Sequence, residues 1–194
     1  MLYYVVKYLI LVIAKIIFRV EVNGIEHIPK KGPCILCFSH RSLLDPPVLG
    51  VFMPRQLAFM AKEELFRIPV LGFLIRKLGS FPVKRGTGDL GAIKTAIRIL
   101  NKGNALAMFP EGTRVKAGED KKAKPGVALI ATKAKVPVIP IGANGKYKLF
   151  RKLKINIGEP VILEEYYNQK LPMEKLQEIS NHILKKIKML MEVG

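Results

Sequence analysis

Acidic side chains are scarce in this sequence: fifteen Asp and Glu stand against thirty-three Lys and Arg, a formal net charge of +18 over 194 residues. That imbalance points to acidic partners, whether nucleic acid, anionic lipid, or phosphate-bearing cofactors and carrier proteins. The aromatic residues are mostly Phe and Tyr embedded in apolar runs, and no basic helix interleaved with exposed aromatics is read, so nucleic acid is set aside. Cysteine is limited to Cys34 and Cys37. They fall in a short apolar run that reads as a buried strand, where positions three apart face opposite ways, so no disulfide is expected between them. No His or Cys pair elsewhere completes a zinc ligand set, and no metal site is expected. The absence of a G-x-S-x-G elbow argues against a hydrolase with a serine nucleophile.

Long uninterrupted apolar runs are missing too. Residues 2–18 are overwhelmingly apolar, yet Lys7 and Lys15 interrupt them and Arg19 closes them. Between the two lysines only Tyr8 to Ala14 is uncharged, about 10 Å of helix, whereas a spanning helix needs about 20 apolar residues. A secretory signal is excluded by charge order and by the lack of a small-residue cleavage site. On a helical wheel Lys7, Lys15 and Arg19 share an arc of roughly 120°, leaving the rest apolar. This predicts an amphipathic helix over 1–19 lying in a membrane interface, its cations toward the headgroups. A helix docked on the protein's own core and a true span are the alternatives.

Beyond residue 19, short apolar runs alternate with segments of helical period, which predicts one α/β domain over 20–194 with a mixed, mostly parallel sheet flanked by helices. Strands are expected at 19–22, 34–39, 56–60, 80–83, 105–109, 138–141 and 153–157. A helix over 89–101 is marked by Asp89 as N-cap and by the stripe Leu90, Ile93, Ile97 and Leu100. A second, over 172–191, begins at Pro172 and aligns Leu176, Ile179, Ile183, Ile187 and Leu190. The loop 116–124 is strongly polar and reads either as a solvated turn or as a mobile flap where an acidic donor docks.

Three segments carry chemistry. His40 ends the second strand, and Asp45-Pro46-Pro47 opens the next helix, so Asp45 reads as an N-cap. The loop between them can also fold His40 over Asp45, whose carboxylate would accept Nδ1–H and leave Nε2 as a general base. Phe109-Pro110-Glu111-Gly112-Thr113-Arg114 follows another strand, with an acid and a guanidinium on a glycine turn. Lys84 and Arg85 follow a third, Arg85 offering a bidentate fork to a phosphate. His27 and His182 lack a plausible dyad partner.

Together these segments resemble the glycerolipid O-acyltransferases, the family typified by bacterial lysophosphatidate acyltransferase. His40 and Asp45 match its H-x4-D block, 81–85 its second block, and Phe109 to Arg114 its E-G-T-R block. Val136, Pro137, Val138, Ile139 and Pro140 match its last, proline-flanked strand, and 62–72 looks like the connecting segment. The resemblance implies that 20–194 is an acyltransferase domain in which His40 deprotonates a glycerol hydroxyl and Asp45 orients it. It implies that Lys84, Arg85, Glu111, Gly112, Thr113 and Arg114 bind the glycerol phosphate, and that residues 136–140 wall the acyl site. The implied acceptor is lysophosphatidate, the co-substrate is acyl-CoA or acyl carrier protein, no cofactor is required, and an anionic membrane surface is a partner. The implied location is the cytoplasmic face of the inner membrane. Glycerol 3-phosphate or other lysophospholipids suit similar motifs as acceptor, and a non-catalytic protein binding anionic lipid is the rival of a different class.

Overall fold

The computed structural model describes residues 2–84, 88–116, 118–145 and 147–193. Seven strands form one sheet in the order β1-β7-β6-β2-β5-β3-β4. They are β1 (Arg19–Asn23), β2 (Cys34–Phe38), β3 (Leu57–Lys62), β4 (Phe81–Val83), β5 (Ala105–Met108), β6 (Val138–Gly145) and β7 (Lys152–Ile157). Every pairing is parallel except β6 with β7, so the mixed, mostly parallel sheet foreseen from the sequence is present. Among the described residues six α-helices accompany it: α1 (Leu2–Ile17), α2 (Asp45–Phe52), α3 (Pro69–Lys77), α4 (Leu90–Asn101), α5 (Gly126–Ala134) and α6 (Met173–Glu192). The seven expected strand positions are all occupied, β6 running on to Gly145 rather than stopping at Ile141.

Alternation along β2 explains the layering. Cys34, Leu36 and Phe38 face one core with Leu49 of α2 and Met53 just after it, while Ile35 and Cys37 face the other, built on α4, α5 and α6. The two cysteines are accordingly free, buried, and on opposite faces of the sheet. Asp89 caps α4 as its sequence position implies, accepting from Ala92 N–H at 3.0 Å. Pro172 is the N-cap of α6 rather than a residue of its first turn. The buried stripe of α6 ends on Met191 instead of Leu190. Gly142 lets that helix lie directly on β6, because a Cβ there would stand 2.7 Å from the backbone of Leu190 and Met191.

The helix α1 is docked rather than free. Ala14 and Phe18 pack with Val48 of α2 and Leu153 of β7. Lys7 departs from the wheel expectation: its Nζ turns inward and donates to the Met53 carbonyl at 2.7 Å. The opposite side presents Tyr4, Val5, Tyr8, Leu9, Val12, Ile13 and Ile16 to solvent, each 45–67% exposed, with Lys15 and Arg19 along it. Among the described residues no helix is long and apolar enough to cross a membrane.

Candidate active site

Because β2, β3, β4, β5 and β6 run parallel, their carboxyl ends share one edge of the sheet, where sites of open α/β sheets gather. His40 follows β2 there, Glu111 follows β5, Lys84 follows β4, and Tyr147 follows β6.

His40 and Asp45 come together as the H-x4-D spacing anticipates. His40 Nδ1 lies 3.0 Å from Asp45 Oδ2, and both side chains are buried. Asp45 does not act as an N-cap, which corrects the local reading of Asp-Pro-Pro. It is the first residue of α2, and its carboxylate makes no capping bond into that helix. Instead Oδ2 turns back to accept the N–H groups of Arg41 and Ser42, both at 2.7 Å, and Oδ1 accepts the Tyr147 hydroxyl at 2.6 Å. Every group around the carboxylate is thus a donor. Nδ1 of His40 is therefore a hydrogen-bond donor to Asp45. Phe109 stacks on the imidazole with ring centroids 4.1 Å apart, fixing the plane of the ring.

Glu111 sits beside this pair, at a cavity it shares with Lys188 and Met191 of α6. Burial pushes its carboxyl up to about 7, opposed by the N–H groups of Glu111 and His40 and by Lys188. Its backbone turn is the tight one expected: Gly112 has φ of 70° and donates to the Phe109 carbonyl at 2.9 Å. The Glu111 Oε2 atom is buried with no hydrogen-bond partner. An orphaned acceptor of this kind is costly unless a donor arrives from outside the chain. It borders a cavity of 480 Å³ lined also by the cations Arg41, Lys121 and Lys188 and by the acids Glu119, Asp120 and Glu192.

The remaining phosphate candidates distribute unevenly. Arg114 is exposed, and its carbonyl accepts from Lys121 Nζ at 2.8 Å, while Thr113 Oγ1 faces the same ammonium at 3.4 Å. Lys84 borders a second, apolar cavity of 320 Å³ formed with Met60, Met108, Phe109, Ile93 and Ile130. Arg85 lies outside the described residues. Val136, Val138 and Ile139 are buried in the core, and residues 136–140 border neither of these two cavities. The polar segment 118–124 is tied to α6, where Asp120 pairs with Lys188 and Ala123 N–H donates to Asn181 Oδ1 at 3.0 Å. His27 Nδ1 faces the Ile157 carbonyl at 2.9 Å and His182 is exposed, so neither joins the site.

Four residues here were not singled out from the sequence: Arg41, Lys121, Lys188 and Tyr147. Arg41 adjoins His40 and was within reach of the motif. Lys188 and Lys121 look like any solvated lysine until α6 and the loop pack, and Tyr147 reaches Asp45 only because β6 extends beyond its apolar run.

A model of the acyltransferase family matches residues 19–144. The chain is 35% identical over 148 residues to the 1-acyl-sn-glycerol-3-phosphate acyltransferase of Bacillus subtilis, covering 73% of each. It is 34% identical over 156 residues to the Streptococcus pneumoniae protein of the same name, covering 77% of this chain but 57% of that one. Among solved structures, the 1-acyl-sn-glycerophosphate acyltransferase of Thermotoga maritima superposes with a TM-score of 0.76 at 28% identity, over 99% of this chain and 80% of that one. The matched region runs from β1 through nearly all of β6, holding both His40 with Asp45 and Glu111 with Arg114, and on that ground the chain belongs to the acyltransferase family.

Proposed function

We propose that this enzyme transfers a fatty acyl group from a thioester to the free hydroxyl of 1-acyl-sn-glycerol 3-phosphate, giving phosphatidate for phospholipid synthesis. The observation that carries the reading is the buried His40–Asp45 pair beside Glu111 and a charged cavity, at the carboxyl edge of a family-matched sheet. His40 Nε2 takes the hydroxyl proton as the oxygen attacks the thioester carbonyl. The carbon–sulfur bond then breaks, and the imidazolium returns the proton to the departing thiolate. No acyl-enzyme forms. A positioned base of this kind contributes on the order of 100- to 10,000-fold, and Asp45 stabilises the transient imidazolium.

The acceptor's phosphate is held at the cavity beside Glu111, with Arg41, Lys121 and Lys188 joining the Thr113–Arg114 turn. Glu111 Oε2 accepts a glycerol hydroxyl. The apolar cavity bordered by Met60, Met108 and Phe109 takes the acyl chain, which moves that role away from the 136–140 strand. The enzyme works at the cytoplasmic face of the inner membrane, with the exposed side of α1 in the interface, and it requires neither metal nor cofactor.

Labelled 1-acyl-glycerol 3-phosphate, offered with acyl-CoA and separately with acyl carrier protein, tests the reading and identifies the carrier. Labelled phosphatidate is the expected product, with far slower turnover of a monoacylglycerol lacking the phosphate. Binding of the lipid without product would favour the non-catalytic alternative, and preferential use of glycerol 3-phosphate would reassign the acceptor.

A further inference from the structure

Asp45 has a fourth donor that the proposed chemistry leaves unused. Its Oδ2 atom is occupied by His40 Nδ1 and by the N–H groups of Arg41 and Ser42, while Oδ1 takes the Tyr147 hydroxyl at 2.6 Å. Tyr147 is distant in sequence and its ring is braced at the other end. It meets Phe18 edge-on, with centroids 5.7 Å apart and planes at 80°. Phe18 is itself buried beside Ala14, Val48 and Leu153, and the segment after Tyr147 is tied to α1 where Phe150 N–H donates to the Ile17 carbonyl at 2.7 Å. The phenol therefore forms a strut from the end of α1 to the carboxylate.

From this geometry we infer that Tyr147 is a positioning residue for the His40–Asp45 pair, and that the docked end of α1 sets its position. A carboxylate turns easily about its last torsion, which is broad and two-fold. The backbone donors from Arg41 and Ser42 hold one oxygen only. With the second oxygen fixed by Tyr147, rotation that would carry Oδ2 out of line with Nδ1–H is blocked from both ends. A cavity of 320 Å³ borders Asp45 and Tyr147, so water can reach this side of the carboxylate. A water can replace the hydroxyl chemically but not in fixed position, whereas the ring anchored on Phe18 supplies the donor at no ordering cost during turnover. Burial, and then the adjoining Asp45 carboxylate, hold the phenol above its ordinary range, so it remains a donor throughout.

The inference rests on the base role of His40, and the test separates the two. Wild type, His40→Ala, Tyr147→Phe and Phe18→Leu are compared in the full chain for kcat, acceptor KM, unfolding temperature, and the proton NMR signal of the His40 Nδ1–H. The acceptor in every assay is 1-acyl-glycerol 3-phosphate. Tyr147→Phe is expected to lower kcat about tenfold with the acceptor KM changed by no more than about twofold, and to broaden the Nδ1–H signal into solvent exchange. Phe18→Leu, which leaves the hydroxyl in place but loosens its brace, is expected to show the same pattern more weakly and serves alone if Tyr147→Phe does not fold. Unaltered kcat and an unbroadened signal in a folded Tyr147→Phe, with His40→Ala inactive, would overturn the positioning role while leaving the base intact. Retained turnover in His40→Ala would instead remove the reading beneath it.

Discussion

Glu111 is 7% exposed, and its Oε2 is the one buried side-chain oxygen or nitrogen among the described residues without a hydrogen-bond partner. Burial is the main reason that its carboxyl rises from 4.5 to about 7. Between those values the folded state holds a proton that the unfolded chain has released, so stability falls as pH rises. The contribution is complete below pH 4.5 and gone above about 7, a difference of roughly 3 kcal/mol. Glu111→Gln should therefore be more stable than wild type at pH 8 and nearly equal to it at pH 4, as read by denaturant unfolding at both. An offset that does not change with pH would contradict the burial account. At this scale the motifs were legible where chemistry is local. H-x4-D foretold a contact between two side chains in one loop, and Gly112 foretold a positive φ. Asp45 departs from the N-cap expectation because two loop N–H groups, an imidazole and a phenol compete for its oxygens and win over the helix N-terminus.

Among the elements, α1 shows how a wheel diagram finds amphipathicity without finding orientation. Three cations on one arc implied a polar face toward headgroups, yet Lys7 satisfies the Met53 carbonyl and the side carrying Leu9 and Ile16 looks outward. Removing the helix would uncover Val48 and Leu153, so deletion confounds membrane binding with folding. Substituting Leu9 and Ile16 together by Glu keeps the docked face intact. The pair should markedly weaken flotation with anionic liposomes, while stability stays within about 0.5 kcal/mol per site as for exposed positions. Unchanged flotation would remove α1 as the anchor. The last helix was found by its period, but its consequence was not. Only the close approach permitted by Gly142 seats α6 on β6, and only then does Lys188 face Glu111.

For the molecule as a whole, parallel strands gather chain segments far apart in sequence onto one edge. The alternation of short apolar runs with helical periods made that architecture readable, since a parallel sheet requires crossovers and places loop residues at the carboxyl ends. The two cavities were not readable, because groove shape depends on how α4, α5 and α6 pack. Their linings supply the proposed division of labour, mostly charged and polar around Glu111 and mostly apolar around Met108 and Phe109. All of it depends on His40 acting as the base. The most direct measurement is phosphatidate formation from 1-acyl-glycerol 3-phosphate and an acyl thioester by wild type and His40→Ala, with unfolding temperatures recorded alongside. A loss of at least about 100-fold in kcat with the fold retained is expected; turnover within a few-fold of wild type would contradict the account.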